Sequence, residues 1–506
     1  GPDRSVALTR IRRALERTAV VIDGGTTNLS FLLALLDDEQ FQRDEVDHRW
    51  LDRMIADRPP PEPDPLVVLA CAVEAYEADR RRAQEAFYAS AERGRPQQPD
   101  EVGAGIELGY LGESYRFDVD CIGPRTYSVR AGRTAAHVTV DRLTDYERRL
   151  TCAGRRHRLV VSPTEFGFRL QVGHASHVIQ REDGVLVRAG WPALIVSTLI
   201  QPGDVVAEGQ AIAVLESMKM ETTVVAPFAG VVLDILVTAN SQVERGAALL
   251  RLRPQISTGV SPTGRRIDLS GFEREIDFSR KPCDRVYEPL GDYLLGYDLA
   301  PAELRRLLTE QRRLAEIADA ADSSLLACED SLLDIYAELG SLYRPQTETE
   351  HDDLAPAGEN TQEYLASFLQ WLDADRAGLP DEYRARLERA LGRFGVRGLG
   401  RTPELEAALM WLFRSFSRLA ELSPVVLAIL ERRLGHRDAL QSLADAEMRD
   451  RLDRLATATQ GRQQPVADLA RDVRFHYFDE PPIEAAAAET YSEMADHLDH
   501  LATHPD

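Results

Sequence analysis

Lysine is almost missing from this chain. Of 60 basic residues in 506, two are lysine, Lys219 and Lys281, and the remaining 58 are arginine. A guanidinium supplies positive charge but no acylatable amine, so a lysine kept against this background marks a place where a primary amine itself is needed. Positive charge in excess is also absent: the formal net charge is −23, which excludes a chain-wide nucleic-acid role. No apolar run approaches the ~20 residues of a membrane span, and no signal peptide opens the chain, so neither membrane insertion nor secretion is expected. Gly1-Pro2 reads as a protease-cleavage scar, the mark of a piece of something larger. The five cysteines (Cys71, Cys121, Cys152, Cys283 and Cys328) include no CxxC pair and no histidine cluster beside them. That excludes a zinc knuckle and argues against a disulfide scaffold. Each reads as a small buried hydrophobe in a reducing cytoplasm.

What is present is organised in segments. Residues 3–57 read helix, strand (AVVIDG, 19–24), helix, the last too apolar at Leu29–Leu36 to stand alone. RPPPEPDP (58–65) breaks the chain, since each proline removes a donor and fixes φ. Over 64–184 a helix from Leu66 to about Glu92, apolar almost all round in its first half, precedes seven or eight short period-two segments such as SYRFDVDC and FGFRLQV. This predicts an antiparallel β-barrel wrapped around that helix. Within it, Arg155, Arg156, His157 and Arg158 form a basic run, read as a solvated strand edge rather than an interface.

Residues 185–253 contain an internal repeat. Ala193-Leu194-Ile195-Val196 matches Ala229-Gly230-Val231-Val232, and Val206-Ala207-Glu208-Gly209 matches Val243-Glu244-Arg245-Gly246. Two copies of one β unit predict a small pseudo-twofold flattened barrel, and LESMKMETTVVAP between the copies holds the hairpin that joins the halves, with Lys219 near its tip. Residues 254–270 read as a Ser/Thr/Gly/Pro linker. Residues 271–506 carry helical leucine spacing and most of the excess acid, 47 acidic residues against 29 basic ones over 254–506. There Thr402-Pro403 reads as an N-cap followed by proline at the first helical position, 344–360 as an acidic loop, and RFHYFDEPP (474–482) as a short strand. Asp322, Glu329 and Asp330, or the acids at 350–353, read as a solvated face rather than a metal site, and His436, His497 and His500 as isolated helical residues. The overall fold class is therefore multidomain α+β with an all-α C-terminal region, with no catalytic residue and no metal site expected in the chain.

One motif carries chemistry. Glu216-Ser217-Met218-Lys219-Met220-Glu221-Thr222 resembles the biotinyl carrier domain of biotin-dependent carboxylases, whose hallmark is Met-Lys-Met at a hairpin turn. The match extends through Gln201-Pro202-Gly203-Asp204-Val205-Val206 and Glu208-Gly209-Gln210 upstream, and Ala226-Pro227 and Gly230-Val231-Val232 downstream. The resemblance implies biotin attached covalently to Lys219, with Met218 and Met220 flanking it. Lipoyl domains share the fold but typically place Asp before the lysine and Ala after it, where this chain has methionine on both sides.

The flanks resemble parts of multidomain acyl-CoA carboxylases. Residues 8–53 resemble the C-terminal end of a biotin carboxylase domain, making 3–57 a stub. Tyr115-Arg116-Phe117, Gly123-Pro124 and Val140-Asp141-Arg142-Leu143 resemble the linking domain between carboxylase and carrier, and PLGDYLLGYDL (289–299) faintly resembles the noncatalytic central region of acetyl-CoA carboxylases. The resemblance implies a carboxyl shuttle: a missing upstream domain uses ATP and bicarbonate, and a downstream carboxyltransferase of the same polypeptide receives the carboxyl. It further implies a biotin protein ligase as partner, a homo-oligomeric full enzyme, and no nucleic-acid or membrane partner. The alternatives are a noncatalytic scaffold with a vestigial biotinyl or lipoyl-like domain, and a carrier serving a pyruvate or urea carboxylase.

Overall fold

The computed structural model describes residues 2–18, 20–22, 27–56, 62–92, 96, 105–132, 134–173, 175–182, 184–217, 219–254, 266–272, 280–343 and 361–503. Among these, no helix is long and apolar enough to cross a membrane. The chain divides into two compact units, one of Gly1–Arg80, Glu101–Asp120 and Arg125–Glu275, the other of Arg81–Asp100, Cys121–Pro124 and Ile276–Asp506.

The first unit opens with α1 (Arg4–Arg17), α2 (Leu29–Asp37), α3 (Glu39–Gln42) and α4 (Trp50–Ala56). Asp3 caps α1 by accepting from Val6 N, and Trp50 stacks on Phe41 at 5.7 Å. The strand expected at 19–24 is corrected where it is described: residues 20–22 join no sheet, and Val20 and Ile22 are exposed. β-formers without an edge to pair with do not make a strand. Helix α5 (Pro65–Ala91) then starts on a proline, whose missing N–H costs nothing there.

Eight antiparallel strands close into a barrel: β1 (Ile106–Tyr110), β2 (Glu113–Gly123), β3 (Thr126–Ala131), β4 (Thr134–Arg142), β5 (Glu147–Cys152), β6 (Arg155–Thr164), β7 (Gly167–Val172) and β8 (Ala175–Arg181). The first turns of α5, Val67–Ala72, are buried all round. Its side chains reach three of the strands: Tyr76 meets Tyr127 of β3 edge-on at 5.8 Å, Glu77 accepts from Tyr127 Oη, Glu74 pairs with Arg148 of β5 at 2.6 Å and Asp79 with Arg181 of β8 at 2.9 Å. The basic run at 155–158 is not on an edge, because β6 pairs with both β5 and β7. A closed barrel has no edge strand, and Arg158 is tied to Glu147 and donates to the carbonyls of Glu16 and Arg17.

Beyond the barrel come β9 (Val185–Arg188), β10 (Ala193–Thr198), β11 (Val205–Val206), β12 (Ala211–Ser217), β13 (Met220–Val225), β14 (Gly230–Ile235), β15 (Gln242–Val243) and β16 (Ala248–Pro254). They form two four-stranded sheets, in orders β13-β12-β10-β15 and β11-β14-β16-β9. The sequence repeat is a structural one. Gly209 and Gly246 both take left-handed φ, 78° and 86°, where glycine alone is unstrained. Each donates one 2.8 Å bond, to Ala226 O and Ala189 O respectively. Two clusters form the core, each drawing on both copies of the repeat. One gathers Ile200, Val206, Ile212, Val232 and Leu252, the other Ile195, Ala213, Leu215, Val243 and Leu249, with Val224 packed against both. Where β14 crosses β16, a Cβ on Gly230 would meet Arg253 O at 2.4 Å, so the close approach requires glycine. Most of the expected linker, 255–265, lies outside the described residues.

The second unit is helical over its described C-terminal part: α6 (Pro282–Leu294), α7 (Pro301–Ile317), α8 (Ser323–Leu342), α9 (Thr361–Trp371), α10 (Asp381–Gly392), α11 (Pro403–Gly435), α12 (Arg437–Leu440), α13 (Ala446–Thr459), α14 (Gln464–Arg474) and α15 (Glu480–Thr503). Thr402 caps α11 by accepting from Leu405 N at 3.1 Å, with Pro403 next. The acidic loop expected at 344–360, with the acids at 350–353, lies outside the described residues.

Two expectations fail here. RFHYFDEPP is not a strand; Phe475–Asp479 is a π-helical turn joining α14 to α15. Pro481 and Pro482 cannot donate to the ladder and crowd the carbonyls one turn back, and a widened turn just upstream relieves both problems. Glu329 and Asp330 are not a solvated face. Glu329 is fully buried and takes Arg432 bidentately at 2.9 and 2.7 Å, while Asp330 meets Arg433 at 2.7 Å and Arg451 at 3.0 Å. Asp334 extends the network to Arg451 and Arg454. Asp322 caps α8, accepting from Ser324 N and Leu325 N.

Candidate functional site

Strands β12 and β13 are bound in register from Ala211↔Val225 to Ser217↔Met220. The last pair leaves Met218 and Lys219 as a two-residue connection, the shortest hairpin turn, which favours residues able to take positive φ. Lys219 has φ 64°. A non-glycine residue there carries about 1 kcal/mol of strain, and turns of this kind usually solve the problem with Asn or Gly. Leu111, Arg125 and Ala153 take the same left-handed φ, so the geometry marks a tight turn here as there.

The surroundings fit the Lys219 amine to react. Lys219 is exposed, and among the described residues no hydrogen bond or ion pair holds its Nζ. Met220 is 71% exposed, an apolar, polarisable side chain that offers adaptable contact beside the tip. Met218, the other flanking residue, lies outside the described residues. Glu216 stands opposite Glu221 on the ladder, a like-charge pairing that costs the hairpin stability and that its packing does not call for. Leu194 also pairs with Glu216. Three residues before Leu194 and three after Glu216 lie Trp191 and Lys219, so the antiparallel register brings an exposed indole to the same end of the sheet. The sequence motif located the lysine, and Trp191-Pro192-Ala193-Leu194 stands out as a departure from the family's usual small, Gly-containing stretch, bearing on what packs beside biotin; the placing of Trp191 at this end of the sheet and the Glu216–Glu221 pairing come from strand register.

The amine is thus exposed on a four-carbon stem at the tip of the hairpin. Among the described residues this hairpin contains no second side-chain amine.

The family described as "Biotin-requiring enzyme" matches residues 182–252, the whole of this two-sheet domain from just before β9. Acetyl-CoA carboxylase of Schizosaccharomyces pombe is 27% identical over 283 residues, which cover 54% of this chain and 12% of that protein. The acetyl-CoA carboxylase of Saccharomyces cerevisiae is 24% identical over 238 residues, 46% of this chain and 11% of that one. A solved structure titled as a single-chain, multi-domain long-chain acyl-CoA carboxylase aligns at 19% identity and a TM-score of 0.14, over 26% of this chain and 10% of that one. The matched stretch thus spans only 11 to 12% of the length of these curated relatives. Residues 182–252 thus form a domain of the biotin-requiring type, in a chain that is similar over about half its length to acetyl-CoA carboxylases.

Proposed function

We propose that Lys219 is the biotin attachment site and that the domain of residues 185–253 carries carboxyl groups for an acyl-CoA carboxylase. The observation that supports this best is the strained, exposed lysine at the two-residue tip of a domain of the biotin-requiring type. Once bound, biotin supplies a ring nitrogen able to hold and release a carboxyl group. The chain's own residues do the rest. Lys219 fixes the arm at the tip, β12 and β13 hold the tip clear of the domain, and Met220 with Trp191 offers apolar surface where the arm leaves.

The reading extends to the neighbours. Residues 3–57 are the end of a biotin carboxylase domain, 64–184 a linking domain, and 271–506 a noncatalytic spacer. The carboxylase that uses ATP and bicarbonate and the carboxyltransferase belong to the same polypeptide, as the multidomain character of the relatives suggests, and the tether raises the local concentration of the arm at both sites. The barrel between carboxylase and carrier favours an acyl-CoA acceptor, since enzymes acting on pyruvate place the transferase there.

The test is the intact mass after incubation with biotin, ATP and a biotin ligase, beside a Lys219→Arg variant and a parallel reaction with lipoate and its ligase. The expected result is one biotin on the parent, none on the variant, and no lipoyl transfer. A parent that stays unmodified makes the domain vestigial and sinks the carrier reading.

A further inference from the structure

Among the described residues, three side chains able to ligate a metal converge at one place: Cys283, Asp284 and Cys328, whose ligand atoms all lie within 4.8 Å of one another. Cys283 and Asp284 sit in the first turn of α6, and Cys328 in the second turn of α8. No sequence spacing joins them; only the packing of α6 on α8 does. One carboxylate oxygen faces both sulfurs, since Asp284 Oδ1 lies 3.3 Å from Cys328 Sγ and 3.9 Å from Cys283 Sγ. A tetrahedral zinc with Zn–S of about 2.3 Å and Zn–O of about 2.0 Å has S···O edges of about 3.5 Å. The two observed S···O edges straddle that value, and the third, between the sulfurs, is within 4.8 Å.

The chain's other lysine is here. Lys281 lies two residues before Cys283, and its Nζ donates to Ser324 Oγ at 2.8 Å, one turn before Cys328. Two thiolates and a carboxylate carry three negative charges, a divalent ion returns two, and Lys281 supplies a positive charge beside them. Cys283 is buried, whereas Asp284 and Cys328 are half-buried. The soft sulfurs select against calcium and magnesium.

We infer that Cys283, Asp284 and Cys328 form a site for a thiophilic divalent cation of the zinc class, clamping α6 to α8. Binding breaks two S–H bonds, forms two metal–sulfur bonds and one metal–oxygen bond, and releases two protons; no electron changes hands.

The experiment uses the full chain, stripped of metal with a chelator, desalted, and titrated with Co²⁺ and then Zn²⁺. One equivalent of Co²⁺ is expected to give a sulfur-to-cobalt charge-transfer band with the intense visible bands of tetrahedral cobalt, and Zn²⁺ to abolish both. Cys283→Ser and Cys328→Ser are expected to weaken uptake at least tenfold, while Cys152→Ser, on the barrel, leaves it unchanged. Should a serine variant lose its helical circular dichroism, the parent still decides: Zn²⁺ must slow alkylation of Cys283 and Cys328 and of no other cysteine. Absence of the charge-transfer band, its persistence in both well-folded serine variants, or a Cys283–Cys328 disulfide with no metal uptake after reduction would each overturn the site.

Discussion

Lys219 shows how function and fold compete at one residue. Its left-handed φ is a strain that glycine would remove, by about 1 kcal/mol. Glycine also adds unfolded-state entropy of similar size. Lys219→Gly is therefore expected to leave the thermal stability of the domain within about 0.5 kcal/mol of the parent while abolishing modification, and a large loss of stability would mean the lysine is structural. Glu221 is a milder case. Removing the like charge opposite Glu216 with Glu221→Gln is expected to stabilise the hairpin by a few tenths of a kcal/mol, read as a small rise in melting temperature that salt erases. Asp292 carries a different signature. Burial raises its carboxyl to about 6, against a smaller opposing pull from Arg280. The folded chain thus holds this proton more tightly than the unfolded chain, so the contribution to stability is complete below about pH 4 and is lost as pH rises through about 6. Asp292→Asn, which cannot ionise, is expected to be more stable than the parent by about 1–3 kcal/mol at pH 7.5 and equal to it near pH 4. Urea melts at the two pH values check this, and a gap that does not change with pH would refute it.

At the scale of elements, the ion network joining α8, α11 and α13 is the part of the structure most exposed to a single change. Glu329 is fully buried against Arg432 and Arg433. Glu329→Ala strands the buried guanidinium of Arg432, while Arg433 keeps Asp330, and is expected to cost about 3–5 kcal/mol, whereas Glu303→Ala, an exposed pair with Arg306, is expected to cost under about 1 kcal/mol; chemical denaturation of both variants separates the two. The same network shows where sequence reading stops. Period-two alternation announced the barrel strands and leucine spacing the helices, because both are set by neighbours a few residues away. The repeated Val-x-x-Gly turns were legible for the same reason. Whether Glu329 faces water or Arg432 depends on how α8 meets a helix that starts some eighty residues later, and acidic residues at helical spacing look alike in either case. The convergence of Cys283 with Cys328 was hidden in the same way. The π-turn at Phe475–Asp479 was misread because aromatic residues favour strands, while the two prolines after it specify a loosened helix.

For the molecule as a whole, the two-sheet segment closes cores of its own. The buried residues of both clusters fall between Val187 and Leu252. Outside contact includes the edge-on meeting of Phe228 with Phe166 of the barrel, 4.9 Å between centroids. Residues 182–254 expressed alone are expected to keep their β circular dichroism and to accept biotin at the rate of the full chain, and an unfolded fragment would show that the barrel supplies part of its core. The scarcity of lysine has a practical corollary. A protease that cuts only after lysine finds two addresses in this sequence, the exposed hairpin tip at Lys219 and Lys281 at the head of α6. Acylation of Lys219 erases the first address. Digestion then turns three fragments into two, so a single gel lane reports what fraction of the molecules is charged.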